Sequence, residues 1–281
     1  MAIRFVVDSA ADVPEDIARA LGVAVVPLSI HFGNRTFKDG IDLSPEAFLR
    51  ELRTSANPPS TSQPSPGEFL TAYETHSEPG DTLFSFHLSS KLSGTYQSAK
   101  LASRQLSDRQ IHVIDTGLAS LGIGLPAIIG ARWAAKGASA EEIRAKSERL
   151  IAGTRIFFLV DSLEHLARHG RIGRAQALVG SMLSIKPVLC IDDGMVGAAD
   201  RLRGLPRALE RLVELTLTDV KEDQSYICAI LDADQSELAD EIETRVRQRI
   251  PSVEIIRAPF GATISTHAGP GTVGTVFARL S

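Results

Sequence analysis

Apolar residues along the chain follow two rhythms. Short runs of about four to eight residues predict buried strands, and three-to-four spacing over longer stretches predicts helices. "IRFVVDS" (3–9) is a strand, and "PEDIARAL" (14–21) is a helix with Pro14 suited to its first position. "VAVVPLSIHF" (23–32) is a second strand. "IHFGNRTFKDGIDL" (30–43) is a hairpin around Gly33-Asn34. "SPEAFLREL" (44–52) is a helix with Ser44 as its N-cap and Pro45 at its first position. "SANPPSTSQPSPGEF" (55–69) is a polar, proline-rich loop. It ends in "SPGE", a capping box of Ser65 and Glu68 that opens the helix "EFLTAYETH" (68–76). Strand "TLFSFHL", helix "GTYQSAKLASRQL", strand "IHVIDT" and a long helix from about Leu118 complete a βαβ alternation, the pattern of a parallel sheet faced by helices.

The charged helix "SAEEIRAKSERLIAG" (139–153) is the bridge to a second unit. There follow strand "TRIFFLVD", helix "SLEHLARHG", a hairpin "IKPVLCIDDGMVGAADRL" around Asp193-Gly194, and helix "PRALERLVELTLTDV". Strand "SYICAILDA", helix "QSELADEIETRVRQRI" and two closing strands around "PFGATISTHAGPGTVGTVFARL" end the chain. The expected fold class is α/β with two α/β domains. Residues 1–155 form an N-terminal parallel-sheet, Rossmann-like domain with a hairpin-containing excursion at about 28–58. Residues 156–281 form a C-terminal mixed-sheet α+β domain.

Composition narrows the function classes. The chain is 43% hydrophobic and 23% charged, ordinary for a globular protein, and long enough for a sizeable core. Its net charge of −4 gives no bulk attraction for nucleic acid or membranes, so no nucleic-acid partner is expected. The opening "MAIRFVVDSAADVPED" does not read as a signal peptide. The longest apolar stretch, "LASLGIGLPAIIGARWAAKG", is interrupted by Pro126 and Arg132 and reads as a buried helix. Cys190 and Cys228 lie in apolar, strand-like runs and read as free thiols of a cytoplasmic protein.

Three loops carry candidate chemistry. In "HLSSKLSGTYQSAK" (87–100), Ser89, Ser90, Ser93, Gly94 and Thr95 sit where a strand hands over to a helix. Ligands of open α/β sheets bind at such ends, and unpaired N–H groups of a helix's first turn favour an anion. A packing role for the small residues is the plain alternative. In "STSQPSP" (60–66) the prolines either stiffen a capping loop or hold Thr61 and Ser62 as hydroxyl donors. In "STHAGPGTVG", His267 precedes Gly269-Pro270-Gly271, glycines that make a turn or allow close backbone approach. Nucleophile-elbow, phosphate-loop, zinc-helix and dinucleotide signatures are missing. Ser93 with His267 is a conceivable nucleophile and base for a small-molecule acyl or phosphoryl transferase, without an evident third member.

The ordered set "VVDSAADVP", "STSQPSPGEF", "LSSKLSGTYQSA", "VIDTGLASLGIG", "LEHLARHGRI", "IKPVL" and "STHAGPGTVG" resembles the DegV family of bacterial fatty-acid-binding proteins over essentially the whole chain. The resemblance implies one long-chain fatty acid, such as palmitate or oleate, held between the two domains, and no other cofactor or metal. Some members carry the lipid for a fatty acid kinase, in which a separate kinase subunit phosphorylates the bound carboxylate to an acyl phosphate. By motif, the resemblance puts Thr61 and Ser93, with Ser62 and Gly94 beside them, on the carboxylate, and His267 close by. Arg171 in "HGRIG" and Arg203 in "ADRLRG" match basic head-group positions, within a basic cluster that also holds Arg168, Arg174 and Arg201. This cluster is expected to face the kinase or, in transient contact for lipid exchange, a membrane surface. Here "FHLSSKLSG" stands where many members have a more apolar strand, which implies a more polar lip to the site. A lipid-dependent regulatory protein without a kinase is the other reading left open.

That assignment is physically consistent. Hydroxyl and helix N-terminal donors offset carboxylate burial at roughly 1.5–3 kcal/mol per charge-assisted bond. They leave the oxygen free to act as a nucleophile, which a fixed ion pair would quench. About fourteen buried methylenes represent roughly 11 kcal/mol gross. The helix from Leu118 to Ala135, "IFFLV" and "PVLCI" are candidate tunnel walls.

Overall fold

The computed structural model describes residues 1–181 and 185–280. The chain forms two α/β units, the first on a parallel sheet and the second on a mixed sheet. In the first, β1 (Ile3–Asp8) leads through a short 3₁₀ turn at Ser9–Ala11 to α1 (Glu15–Leu21) and β2 (Val23–Val26). Pro14 is the N-cap of α1, one position earlier than the sequence suggests. The chain then leaves this sheet. β3 (Ser29–Phe32) and β4 (Arg35–Lys38) make the expected hairpin, with Phe32 opposite Arg35. Helix α2 (Pro45–Thr54) starts at the Ser44 cap.

Two segments differ from the sequence reading. "VAVVPLSIHF" is two strands in two sheets, because Pro27 has no N–H to continue the ladder and the Leu28 N–H donates to Ser9 Oγ (3.0 Å) instead. The proline-rich loop contains a strand, β5 (Pro59–Ser62), paired antiparallel to β3 with Thr61 opposite Ile30. Edge strands tolerate proline, and this one is an edge of the three-stranded sheet β4-β3-β5.

Helix α3 (Pro66–His76) opens with the expected capping box, both of whose bonds are formed. It returns the chain to β6 (Thr82–His87), α4 (Thr95–Ser103), β7 (Gln110–Asp115) and α5 (Leu121–Ala135). The sheet order is β2-β1-β6-β7, all parallel. Phe69, Tyr73, Ala99 and Ala102 cover one face. Ile123, Ala127 and Ala131 of α5 cover the other. With both faces buried, β6 is apolar-dense rather than alternating. Strand order reverses direction between β1 and β6, so the loops after these two strands flank the crevice where ligands of such sheets bind.

Helix α6 (Ala140–Gly153) bridges to the second unit: β8 (Arg155–Leu159), α7 (Glu164–Arg168), a 3₁₀ stretch at Gly173–Ser181, β9 (Lys186–Asp192), β10 (Met195–Leu202) and α8 (Leu205–Thr216). β11 (Tyr226–Asp232), α9 (Ser236–Arg249), β12 (Glu254–Pro259), α10 (Ala262–Ala268) and β13 (Val273–Arg279) complete it. Six strands run in the order β10-β9-β8-β13-β11-β12, with only β11 and β12 parallel. Leu209, Leu212, Ile242 and Val246 of α8 and α9 cover one face. The other face, including Ile156, Ala229 and Val276, packs toward Leu121, Leu125 and Ile128 of the first unit. The closing segment holds α10 between its strands, so His267 stands on the last turn of a helix and not on a glycine turn.

Candidate functional site

A narrow cavity of about 100 Å³ lies between the units, at the carboxyl ends of β1 and β6. The first unit contributes Leu28, Leu88, Leu92 and Ala119; the second contributes Ile156, Phe158, Leu231, Phe260, Ile264 and Val276. Among the segments expected as walls, "IFFLV" supplies three residues and "PVLCI" supplies Ile191. The long helix supplies only Ala119 and Ser120, just before its first turn; its own apolar residues are spent on the two cores.

Most hydroxyls in this wall already have partners. Ser120 donates to Asp12 Oδ2 (2.5 Å), Thr263 to Asp39 Oδ2 (2.5 Å) and Thr272 to the Gly269 carbonyl (2.8 Å). Thr275 pairs with Thr216 (2.6 Å). The remaining polar groups are Thr61, Ser93, His267 and Arg171. Four distant segments bring them to one cavity: the edge strand β5, the turn before α4, the end of α10 and the turn after α7.

Thr61 Oγ1 lies 2.9 Å from His267 Nε2. Ser93 Oγ lies 2.9 Å from Thr95 Oγ1 and accepts the Thr95 N–H (3.3 Å). Burial lowers the His267 pKa to about 3, aided by the nearby His169 and the Arg171 guanidinium, so the ring is neutral at physiological pH. Its Nδ1 is buried without a partner among the described residues. An orphaned buried donor is rarer than an under-satisfied acceptor, so the proton is better placed on Nε2, donating to Thr61. The Thr61 hydroxyl hydrogen is then free to point into the cavity.

The other expected residues are placed differently. Ser62 alternates to the opposite side of β5, is exposed, and bonds His31 Nε2 (2.9 Å). Gly94 is outside the lining, and the end of the Gln63 side chain crosses over it. Arg171 lines the cavity while its Nε donates to the Leu92 carbonyl (3.1 Å) and its Nη1 to that of His169 (2.7 Å). Arg203 is exposed after β10 and outside the lining. Arg168 pairs with Glu164, and Arg174 with Asp192 (2.6 Å). Ser93 and His267 do not form a nucleophile and base: each hydroxyl or ring bonds a threonine, and no carboxylate meets His267 Nδ1 among the described residues.

Three groups of residues went unassigned in the sequence. His165 on α7 and His169, its C-cap four residues on, lie toward α10; His169 meets the His267 ring edge-on at 4.9 Å. Gly269 (φ 86°) leaves room for His165, whose ring would lie 2.6 Å from a Cβ there. Asp12 and Asp39 hold α10 from the first unit. Asp12 accepts the Gly261 N–H (3.0 Å), and Asp39 accepts those of Ala262 and Thr263 (3.2 Å each). Burial raises both carboxyl pKa values. Finally, a buried row runs from Tyr73 Oη to Ser85 Oγ (2.9 Å), His87 Nε2 (2.7 Å) and, through Nδ1, to Asp8 Oδ2 (3.0 Å). Asp8 also accepts the Leu88 and Ala10 N–H groups (3.0 and 3.1 Å), fixing both cavity-flanking loops. Ser85, His87 and Asp8 have no exposed surface, so this Ser-His-Asp row braces the loops.

The family model for DegV, described as uncharacterised proteins, matches residues 2–280. The chain belongs to the DegV family. A DegV domain-containing protein of Caldanaerobacter subterraneus is 35% identical over 275 residues, covering 98% of each chain. Among solved DegV structures, one from Thermus thermophilus, described for its fatty acid binding, superposes with a TM-score of 0.93 at 35% identity over 100% of both chains. Bacillus subtilis DegV, described as a fatty acid binding protein, gives 0.91 at 32% over 99% of each. Within this DegV chain, Cys190 and Cys228 are free thiols as expected. No helix among the described residues is long and apolar enough to cross a membrane.

Proposed function

We propose that this chain binds one long-chain fatty acid in the inter-unit cavity and is a carrier, not an enzyme by itself. The observation that carries this reading is the polarity of the cavity: an apolar slot in which Thr61, Ser93, His267 and Arg171, from four distant segments, converge. The fatty acid binding described for the Thermus and Bacillus relatives supports the choice of ligand. In this reading Thr61 and Ser93 donate to the carboxylate, and neutral His267 orients Thr61 without an ion pair. The carboxylate oxygen stays nucleophilic for a partner kinase that would convert it to an acyl phosphate. Arg171 flanks the head group, and Arg203 belongs to the surface that meets the kinase or, transiently, a membrane. Ser62 and Gly94 support the two donor segments. The working division into functional units is 1–155 and 156–281, and the working location is the cytoplasm.

Solvent extraction of the purified protein should release about one acyl chain of roughly 14–18 carbons per polypeptide. Thr61→Ala and Ser93→Ala should each weaken palmitate binding about five- to 150-fold, from the ~1–3 kcal/mol of a lost buried donor. Kinase-dependent phosphorylation should fall further than binding, because the carboxylate is misplaced. A protein empty as purified that takes up no labelled palmitate or oleate contradicts the proposal.

A further inference from the structure

One residue along the same two strands from the lipid cavity lies a second, polar cleft. Ile156 and Val276 face the apolar cavity; Arg155 and Phe277 face a cleft of about 590 Å³ between α5, α6 and the C-terminal sheet. Lys146, Arg149, Arg155 and Arg279 line it, against one carboxylate, Asp219. None of the four cations has a carboxylate within ion-pair distance among the described residues. Nearby cations do: Arg144 pairs with Glu148 (3.1 Å) and Arg132 with Glu254 (2.7 Å). Two of the four lie over rings instead, Lys146 Nζ 5.4 Å from the Trp133 centroid and the Arg155 guanidinium 5.4 Å from that of Phe277. Partial burial disfavours the charged form of Arg155, and Asp219 only partly compensates.

Like charges gathered in one cleft repel, and this chain is acidic overall, with a net charge of −4. We propose that this cleft binds a polyphosphate anion. Three guanidinium groups and one ammonium from both units call for several separated negative charges, which a single carboxylate does not supply. Guanidinium forks match phosphate oxygens bidentately. The volume suits a tripolyphosphate chain, bare or carried on a nucleoside whose base can meet Trp133. This inference does not depend on the lipid reading.

Trp133 is the only tryptophan in the chain, so its fluorescence reports on the cleft. Sodium tripolyphosphate and ATP, titrated at low salt, should each give saturable binding by tryptophan emission and by calorimetry. Tighter ATP binding would assign part of the site to the base; equal affinities would assign it to the phosphates alone. The exposed pair Arg149→Gln/Arg279→Gln should weaken binding at least about tenfold, ~1.4 kcal/mol, while palmitate uptake and the melting temperature stay unchanged. The unchanged melting temperature confirms that the variant is folded. No saturable heat or emission change up to millimolar ligand, or equal affinity in the double variant, overturns the proposal.

Discussion

Thr61 and His267 stand 206 positions apart and share one hydrogen bond, so the state of the imidazole decides what the threonine can offer. The ring's pKa in the fold, about 3, is far below its ordinary value of 6.5. The unfolded chain therefore binds a proton that the folded chain refuses. The stability held by the neutral ring is complete above pH 6.5 and is lost as pH falls from there toward 3, at about 1.4 kcal/mol per unit of depression. His165 and His169, depressed mainly by burial and also by adjacent positive groups, add to the loss in the same direction. Asp12 and Asp39 act oppositely: their raised values make protonation favour the fold as pH drops through them. Replacing His267 by Gln removes one proton acceptor of the unfolded state. Urea midpoints measured from pH 7 to 4 should fall less steeply for His267→Gln than for the parent. Parallel curves would mean that the ring takes up its proton in the fold as readily as in the unfolded chain. The histidines of α7 and its C-cap were recoverable from their spacing of four, which aligns them on one helix face. That this face meets His267 depends on a contact between α7 and α10, which no local spacing encodes.

Elements whose signals are local were legible in the sequence. The capping box at Ser65, the hairpin turns at Gly33-Asn34 and Asp193-Gly194, and the β6 run all form as expected, and Ser139 opens α6 with a second box. Elements sustained by distant partners were not. β5 is polar and proline-bearing, and it is a strand only because β3 supplies a ladder. α10, "ATISTHA", has β-branched residues and no side-chain cap of its own. Its first-turn donors are taken up by Asp12 and Asp39 from the other unit. Asp39→Ala should therefore destabilise the protein by about 2–4 kcal/mol, since two backbone N–H groups and the hydroxyls of Thr263 and Ser9 lose their acceptor. Asp39→Asn keeps one acceptor oxygen and should lose less. Denaturant titration checks the order, and equal stability of Asp39→Ala and the parent would show that α10 needs no external cap.

On the scale of the whole molecule, the cavity has one wall on each unit, and several contacts close it. Ser89 donates to the Gly194 carbonyl (2.8 Å), Lys91 to that of Asp193 (2.9 Å), and Arg171 to that of Leu92 (3.1 Å). A ligand held there stabilises both units together. Palmitate at about 100 times its dissociation constant should add ~2.7 kcal/mol and raise a single melting transition. Calorimetry that shows two transitions, with only one moved by palmitate, would place the ligand on one unit alone. Fold class was legible because βαβ order is a property of element sequence, whereas the cleft between the domains was implied only by the family resemblance. The width of the cavity and the choice of Ala119 over the long helix for its wall were not legible, because they follow from how two cores share apolar residues.

The capping of α10 also bears on how the protein is made. Asp39 and Thr263 are 224 positions apart, and Asp12 and Gly261 are 249 apart. A ribosome adding about 5–20 residues per second takes roughly 10–50 s between Asp12 and Gly261. For nearly all of that time the two aspartates wait without the helix they will cap, and Thr61 waits without its histidine. The first unit emerges early, yet the second wall draws on both β8 and β13. The cavity therefore has both of its walls only once β13 has been made.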